Sequence, residues 1–352
     1  MLGTRPALRY VLIVLVTVVV VAGGVALSGQ VGAQRSGLAR ALELLPQDTR
    51  SVGYTDWNRV ADVVDVEATS PASREEFDAQ ARERDLTTRS VLAGRSQDLY
   101  AGFGWSLDDL DWDAYGQSRT GSVVVIGLGA DLSASSVVES LRQAGYKKSS
   151  DIWQASSDEF RRAHPDIPDE LNNVAVVNER TLLASTRAGV IQDVRDTSRT
   201  AAANRDLSRT ADEVRGATAV LIQDGDLACD SAGFDDADPS TLEAVRAAER
   251  RSGQLGNYRA LARAIDGGRQ TMTFAMAFDS PATASQQIQV RRDLSSGPFI
   301  GRGGQIEEAL VLQNARTDED TGVLRFRHDV KTDAFMAAVG PVVFASCAPP
   351  HP

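Results

Sequence analysis

The chain carries few side chains of the kinds that perform catalysis or bind metal ions. Its 352 residues include three histidines and two cysteines. The zinc motif H-E-x-x-H and the serine motifs G-x-S-x-G and S-x-x-K are absent from the sequence, so neither a zinc hydrolase nor a serine nucleophile is indicated. The sequence therefore predicts no complete catalytic constellation and no bound cofactor.

His328 is the histidine whose position is most informative. It lies in a predicted strand, Val323–Val330, whose alternation separates an apolar face from a polar one. The apolar face carries His328 with Leu324, Phe326 and Val330, and the polar face carries Arg325, Arg327 and Asp329. We expect a core histidine with one satisfied hydrogen bond. The alternative is that His328 serves as a general base.

Three aspartates, Asp109, Asp111 and Asp113, have the D-x-D-x-D spacing of a calcium-binding loop, in which oxygen atoms surround Ca²⁺. The sixth position of that loop holds Ala114 instead of glycine, and the twelfth holds Thr120 instead of glutamate. The sharp turn and the bidentate ligand are therefore missing. We expect a helix start whose acidic residues lie near its positive end, with a calcium site as the weaker alternative.

The two cysteines, Cys229 and Cys347, do not have the spacing of a metal or redox motif. Two cysteines far from an N-terminal membrane segment suit one disulfide in an oxidising compartment. We expect a Cys229–Cys347 bond that ties the C-terminal tail to the body of the protein. The alternative is a pair of buried thiols.

An uncharged apolar run, residues 10–27, follows Arg5 and Arg9. About 20 apolar residues cross the hydrocarbon layer of a bilayer, and in lipid the backbone satisfies its own hydrogen bonds as a helix. The run predicts a transmembrane anchor within residues 1–33 that lies in the lipid bilayer; a cleaved signal peptide is the alternative. The preceding positive charges favour a single-pass protein of the plasma membrane, with a cytoplasmic N-terminus and an extracytoplasmic C-terminal domain.

Acidic residues outnumber basic ones, with 48 Asp and Glu against 37 Lys and Arg and a net charge of −11. A general nucleic-acid-binding protein needs a positive surface, so no nucleic-acid partner is expected. The apolar share of 42% and the charged share of 24% are ordinary for a globular protein. This composition excludes a wholly disordered chain and a membrane protein with many spans.

The order of predicted strands and helices indicates an α+β fold, with one N-terminal transmembrane helix and an ectodomain of two similar units. Residues 34–118 are expected to form a helical stalk and the segment that leads into the fold. In the units, residues 119–216 and 217–352, a strand, a capped helix and a hairpin follow in the same order. We interpret the repeat as two ferredoxin-like units of the split β-α-β type.

The segment Leu45–Thr49 reads LPQDT, and Gly53–Trp57 reads GYTDW, shortly after the N-terminal apolar run. In these segments and in its layout the chain resembles uncharacterised exported or membrane-anchored envelope proteins of GC-rich bacteria. The resemblance implies a location in the cell envelope. It implies no activity and no site residues.

Together these features favour a membrane-anchored extracytoplasmic protein that binds or scaffolds another envelope protein or a cell-wall component and is not an enzyme. One alternative is an envelope hydrolase whose site is assembled around His328 from residues distant in sequence. A His328 in an open cleft would favour the hydrolase, and a His328 sealed under a sheet would favour the binding protein. A second alternative is a solute-binding ectodomain, which a deep apolar pocket between the two units would favour.

Overall fold

A computed structural model describes residues 36–348, except for residues 88, 156–159, 161, 163, 232, 233, 235, 236, 238, 301–303 and 332–341. The predicted anchor, residues 1–33, lies outside the described residues. Within the described part of the chain, no helix is both long enough and apolar enough to cross a membrane. Residues from Gly37 onward belong to one structural unit.

Twelve strands of the described chain form one sheet. Their bounds are β1 Thr49–Asp56, β2 Leu110–Ser118, β3 Ser122–Leu128, β4 Lys147–Ser149, β5 Ile152–Gln154, β6 Asn173–Asn178, β7 Thr181–Ser185, β8 Ala219–Asp224, β9 Ala260–Asp266, β10 Thr271–Ala277, β11 Leu310–Thr317 and β12 Val323–Val330. Across the sheet the order is β11-β12-β10-β9-β8-β1-β2-β3-β7-β6-β5-β4. Every neighbouring pair is antiparallel.

The α-helices of the described residues are short, and several begin at a side-chain cap. Their bounds are α1 Gly37–Leu42, α2 Trp57–Val64, α3 Pro71–Glu83, α4 Ser96–Phe103, α5 Ala134–Gln143, α6 Ala188–Asp196, α7 Arg205–Glu213, α8 Gly225–Ser231, α9 Pro239–Ser252, α10 Pro281–Asp293 and α11 Ile306–Ala309. Ser133 caps α5 and Ser280 caps α10 through their hydroxyl oxygens. The predicted α+β class, with strands and capped helices, is therefore confirmed.

The sheet consists of two halves that share an order of elements. In each half a strand is followed by helices, a hairpin, a helix and a last hairpin, whose second strand pairs with the third strand of the half. This pairing joins β3 to β7 in the first half and β10 to β12 in the second. The first half also contains the hairpin β4-β5 and ends with helices α6 and α7. The two halves meet where β1 pairs with β8.

The ferredoxin-like arrangement is not confirmed. The connection β10-α10-β11 is a split β-α-β unit, because β12 lies between the two parallel strands. The helical connections from β1 to β2 and from β8 to β9, in contrast, join neighbouring antiparallel strands. Residues 34–118, expected as a stalk and leading segment, instead supply β1 and β2 to the middle of the sheet, because apolar side chains of β1 and β2 are buried there.

Helices cover both faces of the sheet. On one face, α1, α6 and α7 pack over a continuous apolar core. On the opposite face, α2 to α5 cover the first half and α8 to α10 cover the second. Small side chains let α7 lie close to the second half; the core on that face includes Ala262, Ala264, Ala275 and Ala277.

Gly53 is required by a close backbone approach in the central strand β1. A Cβ atom at this position would lie 2.3 Å from the carbonyl oxygen of Arg89. We therefore expect Gly53→Ala to lower the free energy of unfolding by about 1–3 kcal/mol, as overpacking usually does. Urea unfolding of the full chain in detergent measures the change.

Gly189→Ala is the matched control for this substitution. Its added Cβ meets nothing within 4 Å, and the residue lies in α6. Alanine favours a helix over glycine by up to about 1 kcal/mol, so the control should be neutral or stabilising. Equal effects of the two substitutions would contradict the steric explanation for Gly53.

Candidate functional site

A cleft opens at the end of the sheet where β1, β9 and β12 finish and where β8 and β10 begin. Its volume is about 220 Å³. Its lining is dominated by charged side chains, namely Arg59, Arg215, Arg269, Arg325, Arg327, Glu213 and Asp266. Because Arg59 belongs to the first half and Arg327 to the second, the cleft lies at the junction of the halves. We call this site the arginine cleft.

Helix α7 forms one wall of the arginine cleft, and Arg209 fixes its position. This buried side chain donates hydrogen bonds to the carbonyl oxygens of Thr321 at 2.5 Å and Phe278 at 2.6 Å, and it pairs with Asp206 at 2.7 Å. Both carbonyl groups lie in the second half, so Arg209 holds α7 against that half. Residues four apart lie on one face of a helix, so the contact directs Glu213 toward the same strands.

The floor of the arginine cleft is a polar face of the sheet. Arg327 of β12 lies opposite Thr273 of β10, and Arg325 lies opposite Ala275. Residues two apart in a strand share a face and are separated by about 7 Å. The two arginine side chains therefore project from the same face of β12, next to the small residues Thr273 and Ala275. These small residues leave the space that the cleft occupies.

Glu213 is the acidic centre of the wall. Its Oε2 atom lies 3.3 Å from Arg316 and 3.4 Å from Arg325. Partial burial, followed by the positive charge of Arg316, lowers the pKa of Arg325. One carboxylate thus faces two guanidinium groups, and the positive charge at this place is only partly neutralised.

Three more arginines surround the opening, and each has an acidic neighbour. Arg59 lies 3.5 Å from Asp56, Arg215 lies 2.6 Å from Asp212, and Arg269 lies 3.5 Å from Asp266. The three arginine side chains are 46%, 64% and 71% exposed, so the pairs are weak and can exchange partners. In the part of the chain that the structure describes, the side chain of Arg327 makes neither a hydrogen bond nor an ion pair.

This arrangement suits the binding of an anion. Guanidinium groups donate up to five hydrogen bonds in a fixed fork that matches carboxylate and phosphate groups. Thr271 and Thr273 add hydroxyl groups to the lining. The described lining contains no histidine, cysteine or lysine. Its two carboxylates, Glu213 and Asp266, are paired with arginines, so the lining offers mainly donors for an anion.

A second hollow, of about 560 Å³, lies beside α6 and is more open. Its lining mixes apolar residues with two acids and one arginine, Asp48, Asp193 and Arg199. This hollow has no concentrated charge of one sign. The arginine cleft is therefore the better candidate for specific recognition.

His328 is sealed beneath the sheet, on the face opposite to Arg327. Its side chain is fully buried, and its ring lies 4.9 Å from that of Phe344 and 5.7 Å from that of Phe274, between centroids. Neither ring nitrogen has a hydrogen-bond partner among the described residues, so the expected hydrogen bond is not found there. Burial lowers the pKa of His328 to about 4, which keeps the ring neutral at physiological pH.

The three candidate calcium ligands have separate structural roles. Asp109 accepts a hydrogen bond from the backbone of Ser106 at a 3₁₀ turn, and Asp111 accepts one from Asn58. Asp113 is buried and accepts hydrogen bonds from Trp57 at 2.8 Å and Ser90 at 2.9 Å. The described residues contain no group of three metal ligands. The segment from Leu110 onward is strand β2 and not a helix, because its residues pair with β1 and β3.

Cys229 and Cys347 form the predicted disulfide, with Cα atoms 5.3 Å apart. The bond holds the C-terminal segment against α8. Arg291 holds the same segment by donating to the carbonyl oxygens of Phe344 at 2.6 Å and Ser346 at 2.8 Å. The C-terminal tie inferred from the sequence is therefore present.

The arginine cleft was not predicted from the sequence. Arg325 and Arg327 were correctly predicted on the polar face of a strand, but no role was predicted for them. Arg59, Arg215 and Arg269 lie in separate segments with no shared motif. The one available signal was the pair of arginines on a single strand face, since a polar face of that kind is either solvated or a binding surface.

No family model matches the chain, and no curated protein matches it. Among solved structures, crystal form I of TP0453 gives a TM-score of 0.38 at 8% identity, covering 85% of this chain and 95% of that chain. Crystal form III of TP0453 gives a TM-score of 0.40 at 8% identity, covering 85% and 96%. Similarity at this level transfers no function.

Asp113 should make stability depend on pH. Burial raises the pKa of Asp113 to about 7, above the value of about 3.9 expected in the unfolded chain. Between these values the folded state binds more protons, so stability falls as the pH rises from about 4 to 7. Asp113→Asn should remove this decline, since an asparagine does not titrate; its oxygen can accept from Trp57, and its amide group can donate to the Ser90 hydroxyl in a reversed hydrogen bond.

Urea unfolding at several pH values measures this effect. The advantage of Asp113→Asn over the wild type should grow by up to about 1.4 kcal/mol per pH unit in that window and level off above it. A constant difference between the two proteins from pH 4 to pH 8 would show that Asp113 does not titrate there.

Proposed function

We propose that this protein is a single-pass membrane protein of the cell envelope whose extracytoplasmic domain binds an anionic ligand or partner through the arginine cleft and catalyses no reaction. The observation that carries the proposal is the cleft itself. Five arginines and two acids line an accessible cavity at the junction of the two halves, in a protein whose net charge is −11.

The burial of the reactive candidates supports a binding protein over the hydrolase alternative. His328 is sealed under the sheet, and the carboxyl group of Asp113 lies inside the core. A general base must come within hydrogen-bond reach of the substrate, and neither residue opens into the arginine cleft. The cleft is also polar, so it differs from the deep apolar pocket that would favour a general solute-binding domain.

Three features support the proposed location. The apolar run at residues 10–27 and its flanking arginines suit an anchor in the lipid bilayer. The disulfide suits an oxidising compartment. An arginine cleft on the outer side would then meet anionic groups of another envelope protein or of a cell-wall component.

The shared order of elements supports an origin by duplication of one α+β unit. The first strand of each half ends in an aspartate that caps the following helix, Asp56 for α2 and Asp224 for α8. The arginine cleft arose only when two such units were joined, because its lining comes from both. A duplicated scaffold with a site at the junction is consistent with a binding role.

The intact mass of the protein purified from its native membrane tests the location. We expect residues 1–33 to be retained, and both cysteines to react with an alkylating reagent only after reduction. A mass that lacks the N-terminal segment would contradict the anchor. Two thiols that react without reduction would contradict the extracytoplasmic location, since the disulfide would then be absent in the cell.

Thermal unfolding of the full chain in a nonionic detergent, with sulfate, malonate or pyrophosphate at equal ionic strength, tests anion binding. At saturation at least one of these anions should raise Tm by a few degrees, because a ligand that binds only the folded state stabilises it. Arg325→Ala/Arg327→Ala should abolish the part of the shift that depends on the cleft.

Arg119→Ala/Arg142→Ala is the matched control, since it removes equal charge at two exposed positions outside the cleft. It should respond to the anions as the wild type does. An equal response of all three proteins to every anion would overturn the proposed binding role, because general salt effects would then explain the shifts.

A further inference from the structure

We infer that the ligand of the arginine cleft carries a multiply charged phosphoryl group, as a phosphomonoester or a diphosphate, and that Arg327 is its principal contact. The inference rests on the proposed anion-binding function and names the chemistry of the ligand. Four observations carry it: the excess of positive charge, the available side chain of Arg327, the different directions from which the donors come, and the volume of the cleft.

The charge of the lining exceeds what one carboxylate neutralises. Arg59, Arg215 and Arg269 each have an acidic partner. Glu213 is shared between Arg316 and Arg325, and Arg327 has no acidic partner among the described residues. The uncompensated charge is therefore about two, and a ligand with a single negative charge would leave half of it. A phosphoryl group that carries about two negative charges at neutral pH matches the cleft better.

Arg327 has the position and the freedom that a principal contact needs. It is partly buried at the floor, opposite Thr273, and within the described chain no carboxylate competes for its guanidinium group. A phosphoryl oxygen at this place could accept from Arg327 and from the Thr273 hydroxyl. The alternation of β12 places Arg325 on the same face, about 7 Å along the strand, within reach of a second phosphoryl oxygen.

The donors approach from several directions, which favours a tetrahedral anion over a planar one. Arg325 and Arg327 rise from the sheet, Arg59 comes from α2, Arg215 follows α7, and Arg269 lies in the turn between β9 and β10. A carboxylate presents two oxygens in one plane, whereas a phosphoryl group presents three acceptor oxygens around a tetrahedral atom. Of these two groups, the phosphoryl group can accept from more of the donors placed around the opening.

The size of the cleft indicates that the ligand is larger than one phosphate ion. Its volume of about 220 Å³ equals that of about seven water molecules at roughly 30 Å³ each. A phosphoryl group with its neighbouring carbon atoms, or a diphosphate, fills such a space. The same chemistry occurs in soluble phosphate esters and in the headgroups of anionic lipids.

Glu213 should oppose binding of this ligand. Its carboxylate holds Arg325 and would lie beside the bound phosphoryl oxygens. Glu213→Gln removes the negative charge and frees Arg325, so affinity should rise even though the fold loses two ion pairs and is less stable. A purely structural role for Glu213 predicts that binding weakens together with stability.

Isothermal titration of the full chain in a nonionic detergent, at low and constant ionic strength, tests the inference. The probes are pyrophosphate, glycerol 3-phosphate and malonate, a dicarboxylate without a phosphoryl group. Both phosphoryl compounds should bind at least about tenfold more tightly than malonate. Arg327→Ala should weaken their binding about tenfold, as the loss of a charge-assisted contact does, Glu213→Gln should tighten it severalfold, and Arg142→Ala should leave it unchanged.

Dihexanoyl phosphatidic acid, a water-soluble lipid with the same phosphomonoester as glycerol 3-phosphate, distinguishes the two sources of the ligand. If the lipid binds more tightly than glycerol 3-phosphate, the ligand is a lipid headgroup with its adjoining acyl chains. If the two compounds bind equally tightly, the ligand is a soluble ester or a polymer.

Two results would overturn the inference and leave the proposed function standing. One is malonate binding through Arg325 and Arg327 as tightly as the phosphoryl compounds. The other is an unchanged affinity for the phosphoryl compounds in Arg327→Ala. Failure of every anion to bind in a way that depends on the cleft would instead overturn both the inference and the proposed function.

Discussion

The structure depends on one contact, the antiparallel pairing of β1 with β8. This pairing turns two similar halves into a continuous sheet. Arg50 supports one end of it by bonding both carboxylate oxygens of Asp224, at 2.6 and 3.2 Å, and the Asp56 amide donates to the Thr218 carbonyl oxygen at the other end. The second of these ends is where the arginine cleft opens, so the pairing that completes the fold also brings the lining together.

Charged and titratable side chains serve two different purposes in this fold. Inside, Arg209 and Arg291 donate to backbone carbonyl oxygens and fix the positions of α7 and the C-terminal segment. The terminal nitrogens of both guanidinium groups find acceptors in the protein, whereas the Nε atom of each is buried without a hydrogen-bond partner among the described residues. At the cleft, in contrast, Arg325 shares one carboxylate with Arg316, and within the described residues Arg327 makes neither a hydrogen bond nor an ion pair.

Local patterns in the sequence predicted the local structure well. The alternation of β12 gave the faces of His328 and Arg327 correctly, because strand periodicity depends only on neighbouring residues. Strand β2 was not predicted, since the acidic residues Asp109, Asp111 and Asp113 were interpreted as a helix start, with a calcium-binding loop as the alternative. The arginine cleft could not be predicted, because Arg59 and Arg327 meet only through the pairing of distant strands, and one sequence contains no signal for that pairing.

Repulsion between the arginines of the cleft opposes folding of the protein that carries them. Arg325 lies directly opposite Arg316 of β11, and like charges at such positions repel each other. On the other side of β12 the sheet uses Ala275 and Thr273, which avoid this repulsion. Small residues at all of these positions would favour folding more than the arginines do. A bound anion would remove the repulsion and add its binding free energy to the folded state, so the same charges that weaken the empty fold would stabilise the occupied one.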